Sequence, residues 1–286
     1  MHTACSVYTA IVTPFTQHGT LDEGLFARLL AFQESMGVKG VVVAGSTGEG
    51  ASLSDPEKVQ LYELAVQARG ALKVIAGVLT CSLPSARFLC ERATQVGCEA
   101  VMVAPPFYSP ADTQGLIAYF RALLEQVSLP VILYNIPQRT RVALSLDIVD
   151  ALLGYPHFVG IKDSSGDPEQ MARYLQYVPR LQVWVGEEKL LLRCLEGGGA
   201  GTISGLANVY PQPLVRLVQG FLAGERCEGT QAQVDAFADA IDALPAPANF
   251  KYALTHYGFP LSAVRPPLTD LTPEQRQTVD SLWHSV

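Results

Sequence analysis

Short runs of apolar residues alternate along the chain with longer stretches in which apolar residues recur every three or four positions. The short runs have the length and β-branched content of strands, and the longer stretches have helical periodicity. We expect eight strands, over residues 6–13, 40–44, 72–78, 100–104, 130–135, 158–162, 182–186 and 200–204. Amphipathic helices are expected in most gaps, for example over 21–36, 56–69, 84–96 and 113–127. This order is that of repeated βα units and not of hairpins.

The strand at 40–44 is apolar at every position, which is typical of a parallel strand covered on both faces. Helix entries carry capping residues, as in Ser54-Asp55-Pro56-Glu57. Eight such units favour a (β/α)8 TIM barrel. The alternative is a doubly wound open sheet, but the first turn reads Thr13-Pro14-Phe15-Thr16 and lacks the glycine-rich fingerprint of such sheets.

The chain continues well beyond the eighth strand. Helical patterns follow over 213–223, 227–243, 249–257 and 273–283, and only the first of them is needed to complete the barrel. We therefore expect a barrel over residues 1–224 and a C-terminal helical extension over 225–286 that packs on it. Leu244-Pro245-Ala246-Pro247 is interpreted as a bend within the extension.

Composition narrows the range of partners. The 286 residues are 49% hydrophobic, enough for one large core, and the formal net charge is -7 with no run of basic residues. Nucleic acid and anionic membrane surfaces are therefore not expected as partners. No apolar run approaches the ~20 residues of a membrane span, and the six cysteines form no C-x-x-C pair. We expect a cytoplasmic protein with reduced thiols.

In a barrel, reactive groups lie at the carboxyl ends of the strands. Lys162 ends the apolar run 158–161, where a solvated cation has no local reason to be. An apolar barrel mouth removes hydration from the charged form and favours a neutral, nucleophilic amine. The alternative is a structural ion pair of Lys162 with Asp163 or Glu187.

Two further strand ends carry hydroxyl groups. Gly45-Ser46-Thr47-Gly48 follows the second strand, and the flanking glycines would let backbone N–H groups approach a small anion such as a carboxylate. Tyr134 ends the fifth strand and could pass a proton. The alternatives are an ordinary capped turn for the first and a buried core tyrosine for the second.

Metal and phosphate chemistry have weaker support. No histidine pair ends a strand, and Asp163 and Glu187 lack a third carboxylate on a neighbouring strand, so no metal site is expected. The glycine-rich segment 197–205 is consistent with a phosphate or flavin pocket. The small residues of this segment would equally leave room beside Lys162.

Three segments together resemble the dihydrodipicolinate synthase / N-acetylneuraminate lyase family of Schiff-base class I aldolases, and the resemblance runs over essentially the whole chain. They are Gly45-Ser46-Thr47-Gly48-Glu49, Tyr134-Asn135-Ile136-Pro137 and Gly160-Ile161-Lys162-Asp163.

The resemblance implies that Lys162 condenses with the keto carbon of pyruvate or another 2-keto acid. Ser46 and Thr47 would hold the carboxylate, and Tyr134 would shuttle protons. The protonated imine would be the electron sink, so no cofactor is expected.

The resemblance also implies an oligomer. Tyr108 resembles the tyrosine that each subunit of the family contributes to its neighbour across a dimer interface, where it completes a proton relay with Ser46 and Tyr134. Gly186 and Ile203 match positions whose backbone lines the imine. A homotetramer of two tight dimers is expected.

Arg139 bears on the second substrate. It resembles the arginine with which dihydrodipicolinate synthases clamp the carboxylate of aspartate semialdehyde. We therefore expect condensation of pyruvate with aspartate semialdehyde, the 4-hydroxy-tetrahydrodipicolinate synthase step of lysine biosynthesis. Lysine itself is not expected to inhibit, because Cys81, Ser85 and Phe107 stand where lysine-sensing members carry polar side chains.

The sequence leaves other functions open. After Lys162 the chain reads Asp163-Ser164-Ser165-Gly166-Asp167, whereas synthases commonly show Glu-Ala-Thr-Gly. The main alternative is a 2-keto-3-deoxy sugar acid aldolase or dehydratase, or another 2-keto acid lyase. Alternatives of another class are a catalytically silent 2-keto acid binding protein and a flavin- or phosphate-binding barrel.

Overall fold

Eight parallel strands close into a barrel in the computed structural model, which describes residues 5–283. Each strand pairs with the next, and β8 pairs with β1. The strands are β1 Ser6–Ala10, β2 Gly40–Val43, β3 Lys73–Val78, β4 Ala100–Val103, β5 Val131–Asn135, β6 Phe158–Asp163, β7 Gln182–Val185 and β8 Gly201–Ser204. The prediction of a (β/α)8 barrel is confirmed, and the open sheet is excluded.

Helices fill every gap between strands. They are α1 Glu23–Ser35, α2 Asp55–Ala68, α3 Leu83–Val96, α4 Thr113–Leu124, α5 Pro137–Thr140, α6 Leu146–Leu152, α7 Pro168–Leu175, α8 Leu191–Glu196, α9 Pro211–Leu222, α10 Glu228–Asp242, α11 Ala248–Ala253 and α12 Pro273–Trp283. Short 3-10 helices at Glu188–Leu190, Leu206–Asn208 and Leu254–Tyr257 complete the connections.

The first strand is shorter than the sequence predicts. It was expected over 6–13 but ends at Ala10. The Val12 N–H donates to the side-chain oxygen of Asn208 at 3.0 Å, and the Asn208 amide donates to the Ala10 carbonyl at 2.8 Å. A side chain from beyond β8 therefore takes over the bonds that a neighbouring strand would otherwise make, and the chain leaves the sheet there.

Each strand lies between two apolar layers. In β2, Val42 belongs to the cluster inside the barrel, together with Tyr134, whereas Val41 and Val43 belong to the layer between strands and helices. Both faces of the strand are therefore buried, which explains why its sequence shows no polar alternation.

Side-chain caps fix where five of the barrel helices start. The Ser54 hydroxyl accepts from the Glu57 N–H, and the Glu57 carboxylate accepts from the Ser54 N–H, which forms a capping box at the start of α2. Asp22, Ser82, Asp112 and Asp167 cap α1, α3, α4 and α7 in a similar way.

The helices after α9 pack on the barrel. Val234 and Ile241 of α10 belong to the same apolar cluster as the outer faces of the strands. The Gln231 amide also donates to the Glu188 carbonyl at 3.0 Å. The domain boundary at residue 224 stays a prediction. Among the described residues, no helix is long and apolar enough to cross a membrane.

Candidate active site

Lys162 and Tyr134 stand side by side at the barrel mouth. Lys162 of β6 is the register partner of Tyr134 of β5. Both side chains are buried, with 4% of Lys162 and 2% of Tyr134 exposed. The Lys162 ammonium lies 4.4 Å from the centre of the Tyr134 ring. The topology of the barrel therefore brings together an amine and a phenol from two neighbouring strand ends.

Lys162 is free of carboxylate partners within residues 5–283, since no acidic oxygen lies within 4.0 Å of its amine. Asp163 instead accepts from the Asn135 amide at 2.8 Å and from the backbone and hydroxyl of Ser165. The alternative of a structural ion pair is therefore wrong.

The Tyr134 phenol sits among hydrogen-bond donors. The Ser46 hydroxyl donates to it at 3.5 Å. Burial alone would raise the pKa of Tyr134, but the charge of Lys162 and hydrogen bonds with Ser46, Ser164 and Lys162 outweigh burial, so the pKa is lowered. A phenol with a lowered pKa gives up and recovers a proton more readily than an ordinary tyrosine.

Ser46 and Thr47 lie on a tightly constrained loop after β2. Ala44 and Glu49 bracket it, and both have a φ of 56°, a conformation that residues other than glycine rarely adopt. A Cβ on Gly48 would lie 2.9 Å from the Ile11 carbonyl, so the position has no room for a side chain. Thr47 turns its hydroxyl toward Gly205 after β8, while Ser46 reaches Tyr134.

Gly186 provides the space beside Lys162. A Cβ at this position would lie 2.9 Å from the Lys162 Cε and 1.9 Å from the Ser164 hydroxyl oxygen. Ile203 is fully buried and belongs to the same interior cluster as Tyr134.

Arg139 lies at the rim of the site. It is exposed on the short helix α5 and lines a cavity of about 320 Å³. Other residues that line this cavity are Ser46, Leu79, Phe107, Ile136 and Leu268. A larger cavity of about 720 Å³ lies against Tyr210 and Phe237, and none of the predicted site residues lines it.

Comparison with known proteins points to one family. The family model for the dihydrodipicolinate synthetase family matches residues 4–285. The chain belongs to the dihydrodipicolinate synthetase family. It is thereby an enzyme of the Schiff-base lyase type, as the sequence resemblance implied.

Relatives and solved structures agree with this membership. An uncharacterized DapA-like lyase of Chloroflexus aurantiacus is 36% identical over 94% of this chain and 92% of that protein. A 4-hydroxy-tetrahydrodipicolinate synthase of Exiguobacterium sp. is 35% identical over 93% and 92%. A dihydrodipicolinate synthase from Bacillus anthracis superposes with a TM-score of 0.94 at 32% identity, over 99% of this chain and 98% of that one.

Tyr108 is not brought to the site by its own chain. It lies in the loop after β4 with 86% of its surface exposed, and no hydrogen bond joins it to Ser46 or Tyr134 in the part of the chain that the structure describes. Its neighbour Phe107 is also exposed, at 37%. The family's relay would therefore need Tyr108 from a second subunit.

Ser164 is a site residue that the sequence reasoning missed. Its hydroxyl helps to lower the pKa of Tyr134, and it fills the space left by Gly186. The signal was present, since the segment after Lys162 departs from the usual synthase pattern at this position. From the sequence alone, that departure indicates a difference in function but not a contact with Tyr134.

An acidic cluster lies close to the end of β7. Carboxylate oxygens of Glu187, Glu188 and Asp242 come within 4.8 Å of one another. Glu188 accepts from the Ser204 hydroxyl and the Leu206 N–H, and burial raises its pKa to about 7. Glu188 therefore links β7 to the loop after β8.

Proposed function

We propose that the chain is a 4-hydroxy-tetrahydrodipicolinate synthase that condenses pyruvate with aspartate semialdehyde through an imine on Lys162. The observation that carries the proposal is the buried Lys162 amine, which has no carboxylate partner and lies over the Tyr134 ring, and whose side chain packs against the bare backbone of Gly186. These are the conditions under which a lysine acts as a nucleophile.

In the proposed mechanism, the Lys162 ammonium gives up a proton, the amine adds to the keto carbon of pyruvate, and the carbinolamine loses water to give a protonated imine. Loss of a proton from the methyl carbon then gives an enamine, with the electron pair delocalised toward the imine nitrogen. Tyr134 transfers the protons of these steps. Ser46 and Thr47 donate hydrogen bonds to the pyruvate carboxylate.

The enamine carbon then attacks the aldehyde carbon of the second substrate, which forms the new carbon–carbon bond, and the aldehyde oxygen takes up a proton from Tyr134 to become a hydroxyl group. The amino group of the semialdehyde next attacks the imine carbon, closes the ring and releases the Lys162 amine. No electron acceptor beyond the imine is needed, so the proposal includes no cofactor and no metal.

Aspartate semialdehyde is favoured as the second substrate by Arg139. The cavity of about 320 Å³ is lined by both Ser46 and Arg139. A guanidinium binds a carboxylate through two parallel hydrogen bonds. Named synthases among the relatives, such as that of Exiguobacterium sp., are in accord with this choice.

A 2-keto-3-deoxy sugar acid aldolase or dehydratase is the second candidate, favoured by Ser164. Its hydroxyl lies beside both Tyr134 and Lys162. A hydroxyl at that point could bind a hydroxylated substrate, which an alanine could not do.

We further propose a cytoplasmic homotetramer built from two tight dimers, in which each Tyr108 serves the neighbouring subunit. The high exposure of Tyr108 and Phe107 supports this assembly. One structural neighbour, at 27% identity and a TM-score of 0.91, is described as a monomeric dihydrodipicolinate synthase variant. Sedimentation velocity tests the assembly, and a fully active monomer would contradict it.

The experiment for the imine is trapping with borohydride. Incubation with pyruvate and borohydride should add one reduced pyruvate irreversibly, and mass spectrometry should place it on Lys162. Lys162→Ala should abolish the addition. Lys189→Ala is the matched control, because that exposed lysine pairs with Asp239 and should leave trapping unchanged. Addition to the Lys162→Ala protein would refute the assignment.

The second substrate is tested with a panel of aldehydes. Aspartate semialdehyde and sugar-derived aldehydes are compared for pyruvate-dependent product formation. Arg139→Ala should raise KM for aspartate semialdehyde and leave imine trapping intact. Arg141→Asn is the control, because it removes a neighbouring charge at a position with a φ of 57° that asparagine tolerates. No turnover of aspartate semialdehyde would move the assignment to the sugar acid enzymes.

A further inference from the structure

A buried ion pair joins the barrel to the last part of the chain. The Lys251 amine lies 2.5 Å from a Glu49 carboxylate oxygen, and the two side chains are 1% and 0% exposed. The residues are 202 positions apart in sequence. Neither has a part in the mechanism proposed above.

Glu49 ends the loop that carries Ser46 and Thr47. Its second carboxylate oxygen accepts from the Arg265 N–H at 2.8 Å. Lys251 in turn donates to the Ala263 carbonyl at 2.7 Å. Both oxygens of Glu49 are therefore bound by the chain after α10, and the lysine that binds one of them is itself fixed.

Helix α11 also approaches Gly205, the residue that Thr47 approaches from its own loop. The Phe250 ring and the Thr47 hydroxyl would each lie 3.1 Å from a Cβ built on Gly205. Phe250 immediately precedes Lys251, so two consecutive residues of α11 lie close to parts of the site.

A buried ion pair is weak evidence for a role in stability, since well-packed apolar residues of similar size often hold a fold equally well. Its directional hydrogen bonds do fix geometry. Glu49 already has an unfavourable φ of 56°, so an external anchor is required to keep its backbone, and with it Thr47 and Ser46, in one arrangement.

We propose that Lys251 is a positioning residue, which acts through Glu49 to hold the Ser46 and Thr47 hydroxyls in place for the carboxylate of the 2-keto acid. The inference rests on the proposed function, since that function assigns the carboxylate to these hydroxyls. It predicts a defect in pyruvate binding and not in the reactivity of Lys162.

The test is the pyruvate dependence of borohydride trapping, which needs no second substrate. Lys251→Met should raise the half-saturating pyruvate concentration by about tenfold, as expected if misplaced Ser46 and Thr47 hydroxyls lose ~1.4 kcal/mol of binding to the carboxylate. The trapping rate at saturating pyruvate should stay within about threefold. Lys58→Met is the control: Lys58 is also buried and bonds to Asp55 and the Leu79 carbonyl, and its loss should not change half-saturation.

The double variant Glu49→Gln/Lys251→Met separates positioning from stability. It leaves no unpaired buried charge, so its Tm should recover toward that of the wild type, while half-saturation stays raised. It also decides the matter if Lys251→Met does not fold.

Three results are distinguishable. Absence of trapping in the wild type would overturn the proposed function itself. Trapping in the wild type with unchanged half-saturation in the double variant would overturn only the role of Lys251. An equal rise in Lys58→Met would likewise overturn it, because loss of any buried lysine would then have the same effect.

Discussion

Replacing Gly186 with alanine should damage the site more than the fold. The added Cβ would lie 1.9 Å from the Ser164 hydroxyl oxygen, 3.1 Å from the Ser164 Cβ and 2.9 Å from the Lys162 Cε. The Ser164 hydroxyl can rotate away, but it then leaves Tyr134. The Lys162 side chain has to retreat as well, and it carries the amine that is proposed to form the imine.

The magnitude follows from these distances. Ordinary contact with a Cβ begins near 3.4 Å, so the Lys162 Cε has to recede by roughly 0.5 Å to relieve the overlap. A displacement of 1 Å can cost on the order of 100-fold in rate, so we expect on the order of tenfold here. Overpacking typically costs about 1–3 kcal/mol of stability, which corresponds to a few degrees in Tm for a chain of this size.

The assay is the rate of borohydride trapping at saturating pyruvate, with Tm measured in parallel. Gly154→Ala is the control, since a Cβ there meets nothing within 4 Å and the glycine has no positive φ. Ser164→Gly in the Gly186→Ala background removes both Ser164 contacts and leaves the one to Lys162. This double variant should regain most of the Tm and only part of the trapping rate.

The reasoning would be refuted by a Gly186→Ala protein that traps pyruvate at the wild-type rate. It would also be refuted if the double variant regained the full trapping rate, because the Lys162 contact would then have no effect of its own.

Three other predictions follow from the structure. Tyr134→Phe should keep the fold and lower kcat by about 10² to 10⁴-fold, and an unchanged kcat would leave Tyr134 as a packing residue. Because the pKa of Glu188 is raised from 4.5 to about 7, the folded protein retains a proton that the unfolded chain loses, so Tm should fall as pH rises between those values. Glu188→Gln should flatten this profile, and an equally steep one would contradict the assignment. Millimolar lysine should not inhibit, since Cys81 and Phe107 offer no charged or amide partner, and strong inhibition in a steady-state assay would disprove this.

The sequence predicted the barrel well because parallel strands covered on both faces leave an unmistakable pattern of apolar runs. It missed the early end of β1, where the Asn208 side chain displaces strand pairing at Val12. A single side chain from 196 residues away makes that bond, and no local pattern records it.

The sequence predicts those residues of the candidate site that lie at the carboxyl ends of strands. Lys162, Tyr134 and Ser46 end or follow strands of one barrel, so the topology alone places them together. Lys251 lies in the helical pattern over 249–257, and nothing in the neighbouring sequence indicates a partner at Glu49. Such pairs depend on how the extension packs, and packing is not encoded in periodicity.

Because Glu49 and Lys251 are far apart in sequence, the strands of the barrel are synthesised before the Glu49–Lys251 pair can form. The strand that closes the barrel, β8, ends at Ser204, but Lys251 and Arg265 leave the ribosome later. At about 5–20 residues per second, this interval is on the order of seconds. During this interval the nascent chain already contains Lys162 and Tyr134, but Glu49, in the loop that carries Ser46 and Thr47, does not yet have its partners Lys251 and Arg265. On the proposed role of Lys251, a chain that stalls or is cut in this interval would contain Lys162 but would bind its keto acid more weakly than the finished chain.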